Sequence, residues 1–272
     1  MEFAMGKRNE AELLAPFECQ NIPTEYKEYY KTKRQNLFAS IQGFPEMWDY
    51  YMKLDELWLR EFEDLKSARD QGRMFPLVLY FNAHAKIRVS IELALSGCMA
   101  EARSIMRNAI EFVAHAHAMI EDTSLQKVWL SKNGGKDNLE AFTKAFERNK
   151  KEGLFRGLDE LHKSWGQLSE TGSHANINAL CDRFVSIESD KHLEFKLKYC
   201  GLDPRLWATS LFSLLLTCYT MERTFYVDYE TRLKLDYVLV NRRAEFETKK
   251  ERLRKTLITR YNITPPSSMP GI

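Results

Sequence analysis

Apolar side chains recur every three or four positions along most of this chain, the spacing that lines one face of an α-helix. Pro23 and Thr24 open a first such stretch toward Gln42, and Gly43 breaks it. Pro45, suited to the first helical turn, starts a second toward Gln71, with Met47, Tyr51, Leu54, Trp58, Phe62 and Leu65 on one stripe. Pro76 reads as the start of a third, in which Leu77, Tyr80, His84, Ile87, Ile91 and Ala94 keep the period until Ser96 and Gly97 stop it. From Cys98 a fourth stretch runs to about Glu121, with Ala102, Met106, Ala109, Val113, Ala116 and Ile120 in phase. Two matched stripes joined by so short a link predict an antiparallel helical hairpin.

Beyond Asp122 and Thr123, a shorter helix carries Trp129 and ends at Asn133, Gly134 and Gly135. Asp137 reads as the N-cap of the next, which holds Phe142 and Phe146. Gly153 separates it from a helix expected from Leu154 to about Glu170. The period then changes to two: Leu193, Phe195, Leu197 and Tyr199 alternate with Glu194, Lys196 and Lys198, and residues 184–187 are placed to pair with them as a small β-hairpin, the apolar set being the more buried. Asp203 and Pro204 cap a long helix through Leu211, Leu215 and Met221 toward Tyr229, and a charged helix follows to about Tyr261.

The expected fold class is therefore all-α, a multi-helix bundle with a small β-hairpin insertion. Its parts are an N-terminal helical layer over residues 1–75, a helical core over 76–241 with the hairpin near 184–199, and a charged C-terminal helix with a loose tail over 242–272. With 44% hydrophobic residues, 12 Gly and 8 Pro in 272 positions, the composition supports a buried core and excludes a fibrous or wholly disordered chain. The most apolar window, residues 206–219, falls short of the roughly 20 residues needed to span a bilayer, so no membrane association is expected. The N-terminus lacks the apolar run of a signal peptide, and five widely spaced cysteines without a CxxC pair fit a reducing compartment, so the protein is expected in the cytoplasm.

A net charge of +2 gives no global field toward nucleic acid or anionic lipid. Charge is concentrated between Arg242 and Arg260, where eight basic and three acidic residues stand. This segment reads as a solvated amphipathic helix with i,i+4 pairs, the alternative being a phosphate- or partner-binding face.

Catalytic signatures are absent. Gly134, Gly135 and Lys136 lack the leading glycine of a P-loop and are followed by Asp137 where Ser or Thr would hold magnesium, and there is no GxSxG, HExxH or GxGxxG. His115 and His117, two apart on a helix, point about 200° from each other and do not chelate one ion, with His117 nearer the apolar stripe, so neither a metal nor another cofactor is expected. His84 sits inside its stripe and needs a hydrogen-bond partner there.

Two polar constellations remain. Arg103, Arg107, Glu111 and His115 follow one another at four-residue steps and form a ridge, which reads as solvated and held by two ion pairs; the alternative, suggested by apolar Ile105, Ile110 and Phe112 off the main stripe, is that other helices cover more than one face and that Arg107 and Glu111 line a partly buried polar site. In the second, a helix runs into Thr171, Gly172 and Ser173 and presents His174 among Ser169, Ser173 and Asn176. Ser173 serves as an N-cap in one reading; in the other His174 is a general acid/base.

The stretch from Leu93 to Glu111, together with Leu168, Ser169, Glu170, Thr171, Gly172, Ser173 and His174, resembles an uncharacterised bacterial all-helical family related to the HEPN-like group, over roughly residues 76–228. The resemblance implies a helical core, a homodimer and a link to bacterial defence or stress. In HEPN ribonucleases an Arg, a polar residue and a later His cut RNA without metal across the dimer interface. Here Leu168 and Ser169 stand where Arg and Asn precede the His, and His115 comes later after Arg107 and Asn108 than that motif has it. The expected function is accordingly a helical ligand-binding or protein-interaction module, the alternative being a metal-independent endoribonuclease with His174 as acid/base and Arg107 as phosphate-stabilising charge. Arg103, Glu111, His115, Ser169, Ser173 and Asn176 are the expected binding residues, and RNA or another protein the expected partner.

Overall fold

Nine α-helices carry most of the residues described in the computed structural model, which are 23–66, 70–148, 153–173, 184–188, 193–197, 204–231 and 237–262. They are α1 (Thr24–Gly43), α2 (Pro45–Leu65), α3 (Gln71–Leu95), α4 (Met99–Glu121), α5 (Ser124–Ser131), α6 (Lys136–Ala145), α7 (Asp159–Leu168), α8 (Pro204–Tyr229) and α9 (Tyr237–Tyr261). A π-helical turn, Ser169–Ser173, continues α7. The backbones of β1 (Phe184–Glu188) and β2 (Leu193–Leu197) pair antiparallel, with Ser186 opposite Phe195. Which of their faces is buried, and the tail beyond residue 262, lie outside the described residues.

The α3–α4 hairpin is the most extensive helix pair. Gly97, at φ +82°, takes the left-handed conformation that ends α3; Cys98 N–H reaches Leu93 O at 2.8 Å and Gly97 N–H reaches Ala94 O at 3.1 Å. This pair of bonds is a Schellman cap and returns the chain sharply into α4. Other helices satisfy the carbonyls left at that end: Ser40 Oγ donates to Leu95 O, Asn36 Nδ2 to Ser96 O and Trp207 Nε1 to Ala94 O. The expected stripe of α2 is buried throughout, and Trp58 stacks on Phe225 of α8 with centroids 5.1 Å apart and rings 4° from parallel. Small residues Ala102, Ala109 and Ala116 let α4 lie at the centre, against α3, α7 and α8.

Several boundaries differ from the sequence reading. Helix α2 ends at Leu65, short of Gln71, and α3 begins at Gln71, so Pro76 lies inside a helix instead of starting one. Asp70 is the true cap, accepting a bond from Gly72 N–H. Pro76 lacks the N–H that would serve Gly72 O four residues back, and Gln126 Nε2 from α5 supplies that bond. Helix α6 starts at Lys136 after Gly135, which places Asp137 within the first turn instead of at the N-cap. Leu154 enters a turn closed by Gly157 at φ +72°, and α7 begins only at Asp159. Helix α9 begins at Tyr237, ahead of the boundary expected at residue 242, and it is not solvated all round, since Phe246, Leu253 and Leu257 join the core. Its pairs within the helix are i,i+3 instead of i,i+4: Arg254 with Glu251 at the surface, and the buried Lys250 with Glu247. Among the described residues no helix is long and apolar enough to cross a membrane.

Candidate functional site

Helix α4 carries Arg103, Arg107 and Glu111 along one edge of the bundle, facing α7, its π-turn and α8. Arg107 Nε donates to Ser169 Oγ at 2.7 Å, and Ser169 Oγ in turn donates to Trp165 O at 2.7 Å, so the hydroxyl is fixed in one orientation. The guanidinium lies 4.8 Å from the Trp165 ring centroid and Nη2 is 3.1 Å from Glu111 Oε1. Trp165 Nε1 donates to that same oxygen at 2.9 Å, and Arg148 Nη2 stands 3.4 Å from Oε2. Arg107 and Glu111 are thus partly buried, 21% and 12% exposed in their side chains, as the apolar residues off the main stripe suggested and unlike a solvated ridge. Tertiary folding joins the two constellations that the sequence kept apart, the α4 ridge and the segment around Ser169.

One turn earlier, Arg103 Nη2 donates to Ser210 Oγ of α8 at 2.8 Å. It borders a groove of about 230 Å³ whose other polar walls include Ser164, Gln167, Thr171 and Ser213, over a floor of Leu168 and Leu214. Among the described residues that line it, Arg103 is the one charged side chain and none is acidic.

His115 departs from the expected ridge. Each four-residue step on an α-helix drifts by about 40°, so three steps from Arg103 carry a side chain about 120° around the axis. His115 is consequently buried, its ring 4.7 Å from Phe146 and stacked 5.6 Å from Phe142, with Nδ1 unpartnered. Burial, with Arg148 and Lys132 nearby, pulls its pKa down to about 4. His117, read as lying nearer the apolar stripe, is the less buried of the two: its Nδ1 bonds Asp228 Oδ1 at 2.8 Å, and Tyr80 donates its hydroxyl to Oδ2. Burial alone would lower the His117 pKa, but the bond and charge of Asp228 outweigh it and raise the value. His84 has its required partner, Asp55, with Nε2 and Oδ1 2.8 Å apart, and Arg88 holds both oxygens of that carboxylate.

Ser173 closes the π-turn where an N-cap was expected; its side chain, together with His174 and Asn176, lies outside the described residues. The partners Trp165, Arg148, Ser210 and Asp228 were not singled out by sequence; only the indole of Trp165, four residues before Ser169, offered a local signal. Among the described residues no group of three His, Cys, Asp or Glu side chains is placed to hold a metal ion. Compared with known proteins, the chain matches no family model, no curated protein and no solved structure.

Proposed function

We propose that this protein is a helical ligand-binding module that takes a small, polar, anionic ligand in the groove between α4, α7 and α8. The observation that carries the reading is the lining: one guanidinium, several hydroxyls and an amide, with no acidic side chain among the described residues. A guanidinium recognises phosphate or carboxylate through paired donors, and hydroxyls serve a ligand's own hydroxyls in either direction. A phosphorylated sugar or nucleotide fragment fits that chemistry. The HEPN-like resemblance supports a homodimer in the bacterial cytoplasm working near defence or stress systems, with the β1–β2 hairpin an insertion on the helical body.

The second reading, a metal-independent endoribonuclease, draws on a separate observation. Arg107 contacts Ser169, and the π-turn that Ser169 opens ends at the residue before His174. Single π-turns recur at functional sites.

Calorimetric titration tests the first reading with ribose 5-phosphate against ribose. The phosphorylated sugar is expected to bind and the plain sugar not, and Arg103→Gln is expected to weaken binding at least about tenfold, the loss of one charged hydrogen bond. No binding, or binding indifferent to Arg103→Gln, removes the groove as the site. In parallel, single-stranded RNA incubated with the protein and EDTA is expected to stay intact. Cleavage abolished by His174→Ala would replace the binding module with the nuclease.

A further inference from the structure

Three charged side chains meet inside the bundle where α2, α8 and α9 pack together. Glu61 and Glu222 are fully buried, and Arg243 of α9 reaches between them. Its Nη2 bonds Glu61 Oε1 and lies 2.8 Å from Glu222 Oε1, while Nε is 3.2 Å from the same Glu222 oxygen. Tyr226 covers the guanidinium, 3.5 Å from its ring centroid. Two carboxylates against one guanidinium would leave a surplus negative charge where water does not reach, an arrangement proteins avoid by neutralising one group. With both glutamates counted as carboxylates, the second oxygen of each and Nη1 of Arg243 have no hydrogen-bond partner. The two carboxyl groups nonetheless converge, because Glu61 Oε1 and Glu222 Oε1 both take a bond from the single nitrogen Nη2 of Arg243. A hydrogen bond between them forms only when one of them carries a proton.

We propose that Glu61 and Glu222 share one proton against Arg243, and that this proton latches the C-terminal helix α9 to the bundle. The groups that act on the pair come from all three helices. On α2, Asp64 adds negative charge and is itself 3.7 Å from Arg60; on α8, Arg223 adds positive charge beside Glu222; on α9, Arg243 opposes both. Burial is the largest influence and raises both carboxyls, Glu61 well above the ordinary glutamate value. The sign follows. A carboxyl that binds its proton more tightly folded than unfolded stabilises the folded form at low pH, and that stabilisation is lost as pH rises through the folded pKa. Alkali then leaves two negative charges against Arg243, and α9 opens more readily.

Hydrogen exchange of α9 amides in the full chain, corrected for the intrinsic exchange rate, reads this directly between pH 5 and 9. Between the ordinary glutamate value and the raised pKa of the folded pair, protection in the wild type is expected to fall by up to about tenfold per pH unit, the slope of one proton, and to level off above it. Glu61→Gln keeps the shape and the hydrogen bond without the titration, and is expected to lose the pair's share of that fall, keeping at most the shallower slope that His117 contributes. His117 also favours low pH, so the variant decides and the wild-type profile alone does not. A pH-independent wild type, or a Glu61→Gln protein that keeps the wild-type slope, overturns the proposal. Should Glu61→Gln fail to fold, Glu222→Gln takes its place, with the same loss of slope expected and a retained wild-type slope counting against the shared proton.

Discussion

His115 and His117 leave the same helix two residues apart and meet opposite electrostatic surroundings. Phe142, Phe146 and Trp129 give His115 nothing to bond with and keep it neutral, whereas Asp228 gives His117 a reason to be charged. A base whose pKa falls on folding destabilises the native state in acid, because the unfolded chain takes the proton more readily. With an ordinary value of 6.5 and a folded value of about 4, His115 leaves stability intact above pH 6.5 and removes up to about 3 kcal/mol as pH falls toward 4. His115→Leu, which replaces an unpartnered nitrogen by apolar surface, is expected to be near neutral at pH 7 and to flatten this acid limb in pH-dependent urea unfolding. For His117 the raised pKa works the other way, its stabilisation being complete below 6.5 and lost as pH rises through the folded value.

At the scale of the element, helix starts and stops were legible wherever the signal was local and misread wherever a distant group supplied what was missing. Gly97 ends α3 because a left-handed residue there makes two cap bonds, all within six residues of chain. Gly97→Ala is expected to cost about 1 kcal/mol or somewhat more through that positive φ, seen as a lower thermal midpoint with an unchanged helical spectrum. Pro76 misled because its effect on a helix is ordinarily to end it, and here Gln126, remote in sequence, bonds the carbonyl that the proline cannot serve. Asp137 and Leu154 are the exceptions, misplaced for a local reason: Gly135 and Gly157, with positive φ, set the following helices to begin at Lys136 and Asp159.

Across the whole molecule, α2, α3 and α8 are joined by a ring cluster. Phe225 is fully buried against Trp58, Phe62, Tyr80 and Tyr229, with centroid separations from 4.7 to 5.3 Å. Phe225→Ala empties the middle of that cluster and is expected to destabilise the protein by about 3–5 kcal/mol in denaturant unfolding. The loss should appear in all three helices together if they unfold as one unit.

Periodicity alone determined that the chain is helical, which residues of α2, α3 and α4 face inward, and that α3 and α4 form a hairpin, because these follow from steric and hydrophobic rules acting within a few turns. It also marked Arg103, Arg107 and Glu111 as one ridge and Ser169 as part of a second polar segment. Only the tertiary structure decided that the ridge and the segment meet, that His115 rotates off the ridge into an aromatic pocket, and that Asp228, Glu222 and Arg243 find partners far away in the chain. The physical reason is the same in each case. A buried charge or ring nitrogen is governed by whichever group stands within a few ångströms, and helix packing, which brings residues more than a hundred positions apart into contact, selects that group.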